Sequence, residues 1–256
     1  MSTEEIDAYL QKILDREAVD TNPSSPVLRV QYTLEPIIRE WAGNTLLGVQ
    51  PSGSFAKGTA NKTGTDIDLF ISLADNTNAT LKEIYESLYT KMNGKGLNPK
   101  RQNVSINVQT NGFSVDLVPG KRQDNYRQDH SIYRRRVNSW TKTNITKHIS
   151  HVQQSGHINE IRILKLWRNQ KHLDFPSFYL ELTTINALLR PYTFGLSNNV
   201  WVVFKYLCDS FIDARIEDPA NTNNVISDDL TKVERVNIKA AAERVLAAKN
   251  WSEIVE

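Results

Sequence analysis

The chain has 256 residues and a nearly balanced charge, with 31 Lys and Arg against 29 Asp and Glu, and 39% of it is hydrophobic. That length suits one large domain or two small ones, and the composition excludes a disordered or fibrous chain. A single cysteine, Cys208 in WVVFKYLCDSF, excludes a disulfide framework and a cysteine zinc centre, and reads as a core residue. The start, MSTEEIDAYL, is polar and acidic, and no apolar run approaches the roughly 18 residues of a membrane span. A soluble, cytoplasmic protein is the expectation.

In chain order, residues 3–17 read as an amphipathic helix with Ile6, Leu10 and Leu14 on one stripe. TNPSSP breaks the chain, and a second helix is expected from about Val27 to Trp41. LLGVQ reads as a short strand leading into GSFAKGTANKTGTDIDLF. In DIDLFISL, Ile67, Leu69 and Ile71 face one way, and Asp66, Asp68 and Phe70 the other. A helix follows over about Thr77 to Met92. NVSINVQT and FSVDLVP then make a hairpin through Asn111-Gly112, a favoured two-residue turn, with Asp116 as a lone charge between Val115 and Leu117. Residues 121–148 are rich in Arg, Lys, Asn and Gln, and the rest reads as helices: NEIRILKLWRNQK, FYLELTTINALL, VWVVFKYLCDSF and about Asp228 to Trp251. Strands followed by helices imply an α+β module joined to a helical one.

Two carboxylates at alternate positions of a strand share a face and repel each other, which is poor for folding but suits divalent cations. Asp116, on a neighbouring strand, would complete a two-metal site with Asp66 and Asp68. Taken singly, Asp66 reads equally well as a turn aspartate and Asp116 as a surface residue; their combination with the Gly-Ser turn favours a site. Gly53 lets the backbone approach a phosphate, and Ser54 supplies a hydroxyl and an N–H. Lys57 either touches phosphate or caps the turn. The spacing matches neither a Walker A loop nor a dinucleotide fingerprint.

Together, GS, KGT, DID and the separate VDLVP resemble the nucleotidyltransferase superfamily of DNA polymerase β type. The similarity is strongest to the branch of 2′-5′-oligoadenylate synthases, archaeal-type CCA-adding enzymes and bacterial cyclic-oligonucleotide synthases related to cyclic GMP-AMP synthase. The resemblance implies a mixed-sheet catalytic lobe over residues 1–150 and a helical lobe over 151–256 that closes a nucleotide cleft. It implies two Mg²⁺ or Mn²⁺ ions on Asp66, Asp68 and Asp116, with NTP substrates, ATP foremost. IRILKLWRNQ looks like the family's helix whose lysine, here Lys165, reaches the triphosphate; from the residues alone Lys165 is an ordinary helix lysine. PSFYLELTTINAL implies a nucleotide-binding role for Ser177 and Phe178, and Phe178 reads equally well as core. IEDPANTNNV places Asp218, Pro219 and Asn224 near a base pocket. In NSWTKTNITKHI, Thr143-Asn144-Ile145 stands where the bacterial synthases have an Asp-Pro step, a departure from that subgroup.

The implied product is a cyclic or linear oligonucleotide signal of the antiphage kind. Transfer to an RNA end or a protein, and a catalytically silent nucleotide or RNA sensor, are the alternatives. No counterpart of the extra RNA-binding region of CCA-adding enzymes is evident, and three intact aspartates oppose the silent reading. His148, His151 and His157 lack partners at zinc-ligand spacing and read as solvated, and Tyr133-Arg134-Arg135-Arg136 reads as a solvated face before it reads as an RNA contact. Oligomeric state is not legible in the residues.

Overall fold

The computed structural model describes residues 2–20, 22, 25–64, 66–189 and 194–256. Helix α1 spans Thr3–Arg16, α2 Pro26–Ala42, and strand β1 Leu46–Pro51. A short helix α3, Gly53–Lys57, precedes β2, Ile67–Leu73, and α4 spans Leu81–Gly94. Strands β3 (Lys100–Arg101), β4 (Ile106–Thr110), β5 (Phe113–Arg122), β6 (His130–Arg134) and β7 (Ser139–Thr143) follow. Then come α5 (Ile145–Gln154), α6 (Ile158–Gln170), α7 (Ser177–Ala187), α8 (Leu196–Asp209), strands β8 (Glu217–Asp218) and β9 (Asn221–Val225), and α9 (Lys232–Leu246).

Local chemistry sets several of these boundaries. Capping boxes start α1 at Ser2 with Glu5, α4 at Thr80 with Glu83, and α9 at Thr231 with Glu234. Pro26 occupies the first turn of α2, where its missing N–H costs no hydrogen bond. The break expected at TNPSSP falls partly outside the described residues, as does Thr65 of the Gly-Ser-to-Asp motif.

The chain divides into two compact units, residues 20–57 with 65–149, and residues 1–19 with 58–64 and 150–256. The first unit is built on a mixed sheet in the order β1-β2-β5-β4-β3, with β6 on the far end of β5 and β7 on β6. The β2–β5 pair is parallel and the others antiparallel. Ile67, Leu69 and Ile71 are buried in a core with Val30, Leu34 and Ile38 of α2 and Ile84, Tyr85 and Leu88 of α4. The period-two pattern of β2 therefore sends its aliphatic set to one face and Asp68, Phe70 and Ser72 to the other. Asn111 and Gly112 both have positive φ, 51° and 78°, as a type I′ hairpin turn demands.

The second unit is helical, with one small β8–β9 hairpin. Its core joins Ile161, Leu164 and Trp167 of α6, Tyr179 and Leu182 of α7, and Phe204 and Leu207 of α8. Two features differ from the sequence expectation. Helix α1, expected with the sheet lobe, packs Leu10, Ile13 and Leu14 into this helical core, because its apolar stripe needs a partner that adjacency in sequence does not specify. Residues 121–148, read from the sequence only as rich in Arg, Lys, Asn and Gln, contain β6 and β7, whose pairing sustains them despite their charged composition. Tyr133 of the basic run is core, stacked edge-on against Tyr85, and Arg135 Nε donates to the Gln102 carbonyl.

Candidate active site

Asp68 and Asp116 are direct Cα partners across the parallel β2–β5 pair, on strands that lie about 4.8 Å apart. Both carboxylates thus stand side by side on the face opposite the aliphatic core, with the exposed Asp66 at the mouth of β2. The turn before β2 is fixed to the same place: the Ser52 N–H donates to the Asp68 carbonyl at 2.8 Å. Gly53 has φ +57°, and a Cβ there would lie 1.8 Å from Asp68 Oδ2. Only glycine leaves room for the Asp68 carboxylate to lie across the start of α3, where Ser54 follows.

Asp116 is positioned from a third strand. Its Oδ1 accepts from Asn107 Nδ2 at 2.7 Å and from Gln102 Nε2 at 3.1 Å. Burial pushes its carboxyl above the ordinary range and the Asp66 charge pushes the same way, while the Asn107 hydrogen bond opposes both. Asn107 and Gln102 escape sequence reasoning, since only strand pairing brings them to Asp116; Asn107 betrays itself only as a polar residue in the alternating run INVQT.

Among the described residues, no group of three His, Cys, Asp or Glu side chains forms a ready metal cage. The donor set nevertheless fits magnesium, which takes one or two carboxylates and completes its shell with water and phosphate oxygens. Crowded carboxylates, one of them held against burial, and a glycine cradle beside Asp68 are the features of the site that favour a divalent cation.

The helical unit holds a second set. Lys165 Nζ lies 2.6 Å from Glu181 Oε1 and 2.9 Å from Thr59 Oγ1, and the Thr59 hydroxyl donates to Glu181 at 2.7 Å. All three are buried. Lys165, whose resemblance implies a reach to triphosphate, thus has its charge matched by Glu181 within its own unit. Thr59, the threonine of KGT, and Glu181, the one charge in FYLELTT, are members that sequence reasoning left without a role. Ser177 is exposed at the start of α7 and its Oγ accepts from Arg168 Nη1 at 2.9 Å. Phe178 is half-buried and packs against the helical core. Lys57 is buried. Asp218 builds the β8–β9 turn, accepting from the Ala220 N–H at 2.8 Å and from Asn224 Nδ2 at 3.3 Å. Asn144 serves as the cap of α5, its Oδ1 accepting from the Lys147 N–H at 3.0 Å.

A family model described as a nucleotidyltransferase domain matches residues 37–140, the span that holds Gly53, Ser54 and the three aspartates. The chain is 24% identical over 252 residues to a cyclic AMP-AMP-AMP synthase of Escherichia coli (strain MS 115-1), covering 89% of this chain and 78% of that protein. The fold is shared with solved bacterial proteins. CdnC of E. coli MS115-1, in complex with HORMA-deltaN, superposes with a TM-score of 0.71 at 21% identity, over 94% of this chain and 90% of that one. CdnG of Bradyrhizobium diazoefficiens, in complex with GTP, gives 0.74 at 13% identity, over 94% and 89%. These are polymerase β-like α+β folds, as the motifs implied. Among the described residues, no helix is long and apolar enough to cross a membrane.

Proposed function

We propose that the protein transfers a nucleotidyl group from an NTP, ATP foremost, to the hydroxyl of a second nucleotide, releasing pyrophosphate and building a small cyclic or linear oligonucleotide signal. The observation that carries this reading is the pairing of Asp68 with Asp116 beside the Gly53 cradle. In the reaction the acceptor oxygen bonds to the α-phosphorus, the bond from that phosphorus to the bridging oxygen breaks, and pyrophosphate leaves. Asp66, Asp68 and Asp116 would hold two Mg²⁺ or Mn²⁺ ions. When bound, such ions neutralise the triphosphate and lower the pKa of the attacking hydroxyl.

The protein's own residues supply the rest. The Ser54 hydroxyl and the N–H groups at the start of α3 bind the terminal phosphates. Asp116, held in place through Oδ1 by Asn107 and Gln102, is the carboxylate that takes the hydroxyl proton. Its raised pKa makes it a better proton acceptor than a surface aspartate. Lys165 acts in this scheme by fixing Thr59 and Glu181, and Ser177 and Phe178 line the nucleotide side of the helical unit. The similarity to a cyclic AMP-AMP-AMP synthase supports ATP as substrate and a cyclic product; the setting we propose for that product is cytoplasmic and antiphage.

The test is incubation of the protein with all four NTPs and Mg²⁺ or Mn²⁺, followed by mass spectrometry of the products. Oligonucleotides formed without added RNA, and lost in Asp68→Ala, are expected. Extension of an added RNA in place of free oligonucleotides would redirect the assignment to an RNA end, and unchanged turnover in Asp68→Ala would end the two-metal reading.

A further inference from the structure

Beyond the carboxylates, the same sheet face continues as Phe70 and Ser72 along β2 and as Gly120 and Arg122 along β5. The Phe70 ring lies on Gly120 so closely that a Cβ there would come within 2.4 Å of it. The ring also stands edge-on to His130 of β6, with centroids 4.9 Å apart. Phe70 therefore stands between Asp68 and a cavity of about 350 Å³ that lies wholly within the sheet unit. That volume falls in the range of small-molecule sites.

The hydrogen bonds there define what the cavity offers. His130 Nδ1 is 2.9 Å from the Gln128 carbonyl, which only accepts, so Nδ1 carries the proton. Nε2, 2.7 Å from Ser72 Oγ, then accepts from the Ser72 hydroxyl. Burial pushes the His130 pKa down and the Arg122 charge adds to this, against the Gln128 hydrogen bond and Asp129, so the ring is neutral near pH 7. The charged donor of the cavity is Arg122. Its Nε is buried and makes no hydrogen bond among the described residues.

The nearby acids make their hydrogen bonds to other groups, although the Asp124 charge also acts on Arg122. Asp129 Oδ1 accepts from Asn144 Nδ2 at 2.7 Å, and its Oδ2 lies 3.9 Å from Lys142 Nζ. Asp124 accepts from the N–H groups of Tyr126 and Arg127. A buried guanidinium N–H without an acceptor is costly, and the fork geometry of arginine suits an oxyanion. Ile145 and Thr146, the first residues of α5, border the same cavity, and first-turn N–H groups have no partner inside their helix.

We propose that this cavity binds a small anionic ligand through Arg122, the anion being a phosphate or a carboxylate, at a site separate from Asp66, Asp68 and Asp116. The proposal does not depend on the nucleotidyl-transfer reading. His130 reports occupancy, because its ring lies in the cavity wall beside Arg122.

The experiment titrates the full chain with inorganic phosphate and, separately, with malonate at constant ionic strength, following the His130 ring resonances by NMR, assigned with a His130→Asn variant. A saturable shift with phosphate or malonate is expected, and the arm that saturates at lower concentration identifies the anion class. Arg122→Met should abolish it, Arg122→Lys should weaken it about tenfold through loss of the fork, and Asp68→Asn should leave it intact. Absence of a saturable shift in both arms would overturn the proposal. So would a curve unchanged in Arg122→Lys, or one lost in Asp68→Asn.

Discussion

Between Val115 and Leu117, both fully buried, Asp116 holds a carboxylate whose proton is bound more tightly in the folded chain than in the unfolded one. A group of this sign favours folding while protonated, and that contribution is lost as pH rises through its raised pKa. At pH 7 the ionised Asp116 therefore costs stability. Asp116→Asn should raise the thermal midpoint at pH 7, the gain should shrink as pH falls through the carboxylate range, and nucleotidyl transfer should be lost. Thermal scans at several pH values with a parallel activity assay check this. Added Mg²⁺ should raise the wild-type midpoint and raise that of Asp116→Asn less, since a ligand stabilises only the state that binds it. Lys165 sits at the other extreme, a buried cation with a buried partner. Lys165→Met would strand Glu181 and should cost about 3–5 kcal/mol, whereas Lys165→Met with Glu181→Leu should recover most of that loss in denaturant titration.

At the scale of elements, α3 and the start of β2 work as one piece. Gly53→Ala would put a methyl where Asp68 Oδ2 lies and would force an L residue into positive φ. Displacing a reacting group by about an ångström costs on the order of a hundredfold in rate. Turnover should fall by about that factor in Gly53→Ala, while circular dichroism of the sheet and helices stays native-like. The β4–β5 hairpin was legible because its signal is local: Asn-Gly flanked by two alternating runs sets both register and face. That register places Asn107 opposite Asp116, and the choice of Asn107 as the orienting amide is a consequence of pairing that no single run reveals. β6 and β7 carry no such signal, because their stabilising partners are each other and β5.

At the scale of the whole molecule, the chain order of elements and the order of packing diverge. Leu10, Ile13 and Leu14 of α1 complete the core formed by α6, α7 and α8, and residues 58–64 go with that unit too. Removal of residues 2–19 should therefore destabilise the helical unit, measured as a lowered urea midpoint with loss of the Trp167 fluorescence signature. The balanced charge of the chain gives no global attraction to polyanions, so any anion recognition has to be local, at Ser54 and α3 or at Arg122.

Legible in the residues alone are the α+β class, the alternation that puts Asp68 opposite an aliphatic face, the hairpin that carries Asp116, and the resemblance to polymerase β-type nucleotidyltransferases. Each of these is a local pattern: a period, a turn pair or a short motif. Tertiary structure alone decided that Asp68 and Asp116 are register partners, that Gly53 is glycine to make room for a carboxylate, and that Lys165 is matched by Glu181 and Thr59. It also decided that α1 belongs with the helical unit. Those facts depend on strand pairing and on which apolar surfaces find one another, and residues distant in the chain carry no local signal of either.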